Sequence, residues 1–125
     1  MTPYELIFED RIQYLYALVS GELNRKTDHE IDARIRSECE ERERNRVLID
    51  IRESSSRLSY LQNFVAAKSY RQRMGLYLRA IAIVDSKKHR ENSELFELTA
   101  VNQGARVKFF TSTIEAEKWL VGDGD

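Results

Sequence analysis

A single cysteine, Cys39, in 125 residues excludes an intramolecular disulfide, and neither of the two histidines stands at zinc-ligand spacing from it. No metal is expected, and a reducing, cytoplasmic setting fits. An excess of charge of one sign is also missing. The 20 Lys and Arg nearly balance the 21 Asp and Glu, leaving no long-range positive field to gather phosphates, so no nucleic-acid partner is expected and any anion binding must be local. Apolar stretches such as Ala80 to Val84 fall far short of the roughly 20 residues of a spanning helix. Met1 to Glu9 is interrupted by Glu5 and Glu9 and does not read as a secretion signal. Gly-x-Ser-x-Gly, P-loop and dinucleotide fingerprints are absent. Neither His29 nor His89 has a nucleophile at useful spacing. The chain therefore reads as non-enzymatic, with no cofactor implied.

Of the residues present, 42% are hydrophobic, enough for one core in a chain too short for two. Residues 1–121 are expected to form one domain and the Gly- and Asp-rich 122–125 a flexible tail. Leu6-Ile7-Phe8, then Ile12, Tyr14, Tyr16 and Leu18, read as a β-hairpin. Thr27-Asp28-His29-Glu30 matches a capping box opening a helix from Asp28 to about Arg44. That helix has a narrow stripe of Ile31, Ile35 and Cys39 and oriented pairs Glu30/Arg34, Asp32/Arg36, Glu38/Arg42 and Glu40/Arg44. Val47 to Ile51 and Arg79 to Val84 read as buried central strands. Between them a helix carries Leu58, Leu61, Phe64, Val65 and Ala67. A further helix through Leu95 to Val101 ends at Gly104, the strand Val107 to Phe110 follows, and Ser112 caps a last short helix with Ala116, Trp119 and Leu120 inward. The order β-β-α-β-α-β-α-β-α predicts a mixed, mostly parallel five-stranded α/β sheet fronted by an antiparallel hairpin, with four helices.

The hairpin ending near Gly21-Glu22-Leu23, the strands Val47 to Arg52 and Arg79 to Asp85, and the closing Phe109-Phe110-Thr111, Glu115-Ala116 and Trp119-Leu120 resemble the SpoIIAA-like group, a bacterial branch related to STAS domains. The resemblance spans nearly the whole chain and implies a single-wound βα superhelix with helices mainly on one side. It also implies a regulatory module that binds other proteins. Members that act as anti-sigma factor antagonists carry a phosphorylatable serine after the central strand, in an Asp-Ser-Ser-Gly-like turn. Here Asp50 to Arg57 has the serines, but the acid and the glycine are out of pattern.

Open parallel sheets hold ligands outside the carboxyl ends of their strands. The candidate sites therefore lie in three loops. Ser54, Ser55 and Ser56 form a phosphosite or anion loop, the plain alternative being that Ser56 caps the second long helix. Asp50, Arg52, Asp85, Ser86, Lys87, Lys88, His89 and Arg90 form a ligand or partner edge. Its cations suit an acidic partner, a phosphate or anionic lipid, or serve only as a solvated loop. Asp50 and Asp85 are candidates for a paired-acid site, against the alternative that each bonds loop backbone. Tyr60, Phe64 and Tyr70, flanked by Lys68, Arg71 and Arg73, offer a surface for a subunit or for weak peripheral membrane contact; the alternative places Phe64 in the core and the tyrosines at half-buried edges. Two functions follow: a protein-protein interaction module with an unidentified partner, or a binder of a small apolar, lipid or anionic ligand between the second helix and the sheet. A sheet face left open by one-sided helices favours a homodimer.

Overall fold

The computed structural model describes residues 3–123. Its elements follow the expected order: β1 (Tyr4–Asp10), β2 (Leu15–Gly21), α1 (Arg25–Glu41), β3 (Arg46–Ser54), α2 (Tyr60–Met74), β4 (Ala80–Val84), α3 (Arg90–Asn102), β5 (Val107–Phe110) and α4 (Thr113–Lys118). A 3-10 turn, Lys87–His89, leads into α3, and a π-helical turn, Trp119–Asp123, follows α4. The turn takes in 122 and 123 of the expected tail; 124 and 125, like 1 and 2, lie outside the described residues. The strands lie in the order β1-β2-β3-β4-β5. β1 is antiparallel to β2 and every later pair is parallel.

Alternation along the strands sorts the side chains onto two faces. Leu15, Ala17, Val19, Val47, Ile49, Ile81 and Val107 face one way and pack with Ile31, Ile35 and Cys39 of α1, Ala67, Tyr70 and Met74 of α2, and Ala100 of α3. Tyr14, Leu48, Ala80, Ala82 and Val84 face the other way, against Ala116 of α4 and Leu120. Three helices thus cover one face. The other is covered over β3 to β5 and left more open at β1, where Ile7 is 52% exposed.

The hairpin register runs from Asp10↔Leu15 to Tyr4↔Gly21. Ile12, read from the sequence as a strand residue, sits in the connecting turn at 92% exposure. Gly21 adopts φ +94, and a Cβ there would meet the Pro3 carbonyl oxygen at 2.5 Å and Tyr4 Cα at 2.8 Å. Gly21→Ala is therefore expected to cost about 1–3 kcal/mol of unfolding free energy by urea titration, and an unchanged midpoint would contradict this backbone path.

Two helix starts differ from the sequence reading. The cap of α1 is Asn24, whose side chain accepts from Thr27 N at 2.9 Å while the Thr27 hydroxyl accepts from Asn24 N at 2.8 Å. Thr27 is an N3 residue whose hydroxyl also donates to the Glu22 carbonyl at 2.9 Å, so it cannot serve as the cap itself. The helix begins three residues early. The cap of α2 is Ser59, boxed with Gln62, and not Ser56. Of the four ion pairs expected along α1, Glu38/Arg42 forms at 2.6 Å, whereas Asp32 turns inward to Arg73 of α2.

Candidate functional site

The carboxyl ends of β3 and β4 are organised by one guanidinium. Arg57, 13% exposed, donates to both carboxylate oxygens of Asp85 at 2.9 and 2.7 Å. It also donates to the carbonyls of Ser54, Ser56 and Ile51 at 2.8–3.0 Å. Asp85, only 1% exposed at its side chain, further accepts from Ser86 N at 2.8 Å. A buried carboxylate is stable only when paired and hydrogen-bonded. Asp85 is both, and its partner in turn fixes the backbone of the serine loop.

The serines divide by environment. Ser56 Oγ accepts from Leu23 N and donates to Leu23 O, both at 3.0 Å, clamping the loop to the segment before α1. Ser54 Oγ is buried with no hydrogen-bond partner among the described residues. Ser55 is exposed, held only through its backbone N–H on the Gly21 carbonyl at 2.7 Å. Of the three, only Ser55 offers an open hydroxyl.

Asp50 and Asp85 do not form a pair. Asp50 registers with Val84, which faces α4, so Asp85, one residue on, belongs to the opposite face. Asp50 accepts from Tyr16 at 2.7 Å, from the Arg52 guanidinium at 3.0 and 2.8 Å and from Arg52 N at 3.1 Å. Burial works against its ionisation, but the hydrogen bonds from Arg52 and Tyr16 outweigh it and hold the carboxyl below the ordinary range. Burial, then the bond to Asp50, pushes the Tyr16 phenol up to about 12. This cluster ties β2 to β3 and leaves Asp50 and Arg52 on the other side of the sheet from Asp85.

Lys87 and Lys88 are exposed in the 3-10 turn, and Arg90, also exposed, opens α3. Neither the turn nor α3 has a side-chain cap, so three cations stand at the positive end of a helix, where anions are favoured. His89 turns inward to a cavity between α1, α2, α3 and the sheet.

The outer surface of α2 differs most from expectation. The helix buries Asn63, Ala66, Ala67, Tyr70 and Met74. The small Ala66 and Ala67 face inward, and Asn63 bonds the Asn92 carbonyl of α3 at 2.8 Å. In its first half the larger apolar residues are turned out: Tyr60 and Leu61 are each 69% exposed, Val65 51% and Phe64 38%. Phe64 is thus not core, and Tyr70, 2% exposed, is not an edge residue. Among the described residues no helix is long and apolar enough to cross a membrane, and no group of His, Cys, Asp and Glu is placed to hold a metal.

Most of the chain superposes on solved structures. One is an anti-sigma factor antagonist from Mycobacterium paratuberculosis, 15% identical, with 94% of each chain covered and a TM-score of 0.66. Another is an uncharacterized DUF3478 protein from Shewanella loihica with a SpoIIAA-like fold, 20% identical, covering 94% of this chain and 93% of that one, at a TM-score of 0.57. The fold is SpoIIAA-like. No family model and no curated protein matches the chain, so the likeness is one of architecture. Within the SpoIIAA-like sheet, the serine loop, the Lys87–His89 turn and the start of α2 all follow the carboxyl ends of β3 and β4.

Proposed function

We propose that the chain is a non-enzymatic, cytoplasmic interaction module of the regulatory STAS type. In this reading it docks an unidentified partner protein through the outer face of α2 and the adjoining loops. The observation that carries it is the exposed apolar surface of the first half of α2. A helix that hides alanines and exposes Tyr60, Leu61, Phe64 and Val65 leaves apolar surface whose burial awaits a second molecule. One structural neighbour is an anti-sigma factor antagonist, and a protein-binding role for this chain agrees with that. Lys68 beside Phe64 and the exposed Lys87, Lys88 and Arg90 call for a partner with an apolar centre and an acidic rim. Ser55 is the serine placed for regulatory phosphorylation.

Native mass spectrometry of the chain captured gently from its own cells tests this. A protein adduct that disappears with Leu61→Asp and weakens with Lys87→Glu/Lys88→Glu is expected. A bare chain, or an adduct indifferent to both changes, contradicts the reading. The same spectra test a homodimer across the open sheet at Ile7, which predicts a dimer mass lost in Ile7→Glu; a monomer at high concentration sinks it.

A further inference from the structure

Between α1, α2, α3 and the strand ends lies a cavity of about 100 Å³, somewhat smaller than the roughly 150 Å³ apolar cavity that admits benzene. Its walls are mainly aliphatic and aromatic, Ile31, Ile49, Ile83 and Phe96 among them. Most polar groups on the wall are spoken for. Arg57 and Asp85 hold each other, Asn63 is bonded to Asn92, and Glu97 accepts from Phe109 N at 2.7 Å. Asp32 is ion-paired with Arg73, which also donates to Ala66 O and Ser69 Oγ.

Two groups remain. The Tyr70 hydroxyl, on a residue 2% exposed, has no hydrogen-bond partner among the described residues, although a buried phenol normally finds one. Asp28, one helical turn before Asp32, has no ion-pair partner of its own among the described residues, and both carboxylates act electrostatically on Tyr70. Asp28 also lines the groove between α1 and α2.

We propose that this cavity binds a small primary alkylammonium ion, its charged end at the Asp28 carboxylate and the Tyr70 hydroxyl and its short chain against Ile31, Ile49 and Phe96. The groove at Asp28 is also lined by Leu61 and Val65 of the protein-docking face. An ammonium donates to both groups and, once the Asp28/Asp32 pair has lost its shared proton near pH 8, supplies the charge that Arg73 leaves uncompensated. An anion finds both guanidinium groups near the cavity already bound, and a lipid chain exceeds the volume, since drug-sized ligands occupy roughly 300 Å³ or more.

The test titrates propylammonium chloride into the isotopically labelled full chain at about pH 8 and follows amide shifts, with sodium butyrate and 1-propanol as controls. Saturable shifts at residues 28, 70 and 96 are expected, with a dissociation constant of millimolar order, as suits four non-hydrogen atoms. Butyrate should produce none. Asp28→Asn should weaken binding about tenfold or more, the scale of a hydrogen bond to a charged group. Tyr70→Phe, which removes only one oxygen, should weaken it about threefold to tenfold. Absence of saturation, an equal response to 1-propanol, or unchanged affinity in either variant overturns the proposal.

Discussion

Arg57→Ala is expected to lose about 3–5 kcal/mol of unfolding free energy, because truncation leaves the Asp85 carboxylate buried and uncompensated. Asp85 is 1% exposed, and Arg57 is its ion-pair partner. The same substitution frees the carbonyls of Ile51, Ser54 and Ser56, so the serine loop should lose amide protection out of proportion to β3. Replacing both members, Arg57→Leu/Asp85→Leu, removes the unpaired charge along with the pair and should recover much of the loss. Urea titration of Arg57→Ala and the double variant checks this. A double variant no more stable than Arg57→Ala, or an Arg57→Ala cost below about 1 kcal/mol, contradicts the role assigned to this guanidinium.

The second large effect concerns pH. In the folded chain, burial, then the neighbouring Asp28, raises the Asp32 carboxyl to about 8, with Arg73 opposing. Burial raises Asp28 as well, opposed by Arg73 and His29. Tyr70 of α2 faces the same pair, and burial pushes its phenol well above the ordinary value. An unfolded aspartate titrates near 4. Between about 4 and about 8 the folded state therefore holds a proton that the unfolded state has lost, so stability falls as pH rises, by up to about 1.4 kcal/mol per unit. The parent chain should lose roughly 2–3 kcal/mol between about pH 5.5 and about pH 8 by this route. In Asp28→Asn the like charge is gone and Arg73 serves Asp32 alone while burial remains, so the decline should persist but be shallower. All other titrating groups are common to both proteins and cancel in the comparison. Parallel stability curves for parent and variant contradict a shared proton on this pair.

The architecture was legible because strand burial writes itself into sequence as Val47 to Ile51 and Ala80 to Val84. The helix starts were less so. Asn24-x-x-Thr27 and Thr27-x-x-Glu30 are overlapping capping patterns, and the choice depends on the Thr27 hydroxyl reaching the Glu22 carbonyl, a contact set by how the chain leaves β2. The serine loop was found as a place and misread in its parts. Nothing local announces that Ser56 will clamp Leu23, 33 residues away.

The outer face of α2 was the least legible. Leu58, Leu61, Phe64, Val65 and Ala67 read in the sequence as one inward stripe. The structure buries Ala67 and half-buries Leu58 but turns Leu61, Phe64 and Val65 outward, because the helix sits close to its neighbours on its small residues and on the Asn63 bond to Asn92. The inward turn of Asp32 was hidden for a related reason. Its partner Arg73 is 41 residues away, whereas Arg36 stood at the tempting i,i+4 position.

The most direct test of a docking face on α2 is site-specific photo-crosslinking in the native cell, with the reactive group placed in turn at Phe64 and, on the opposite face of the molecule, at Ile7. A discrete protein adduct at Phe64, formed by a partner distinct from anything captured at Ile7 and lost when Leu61→Asp is added, is the predicted result. No adduct at Phe64, an adduct of lipid mass, or the same adduct from both positions would contradict it.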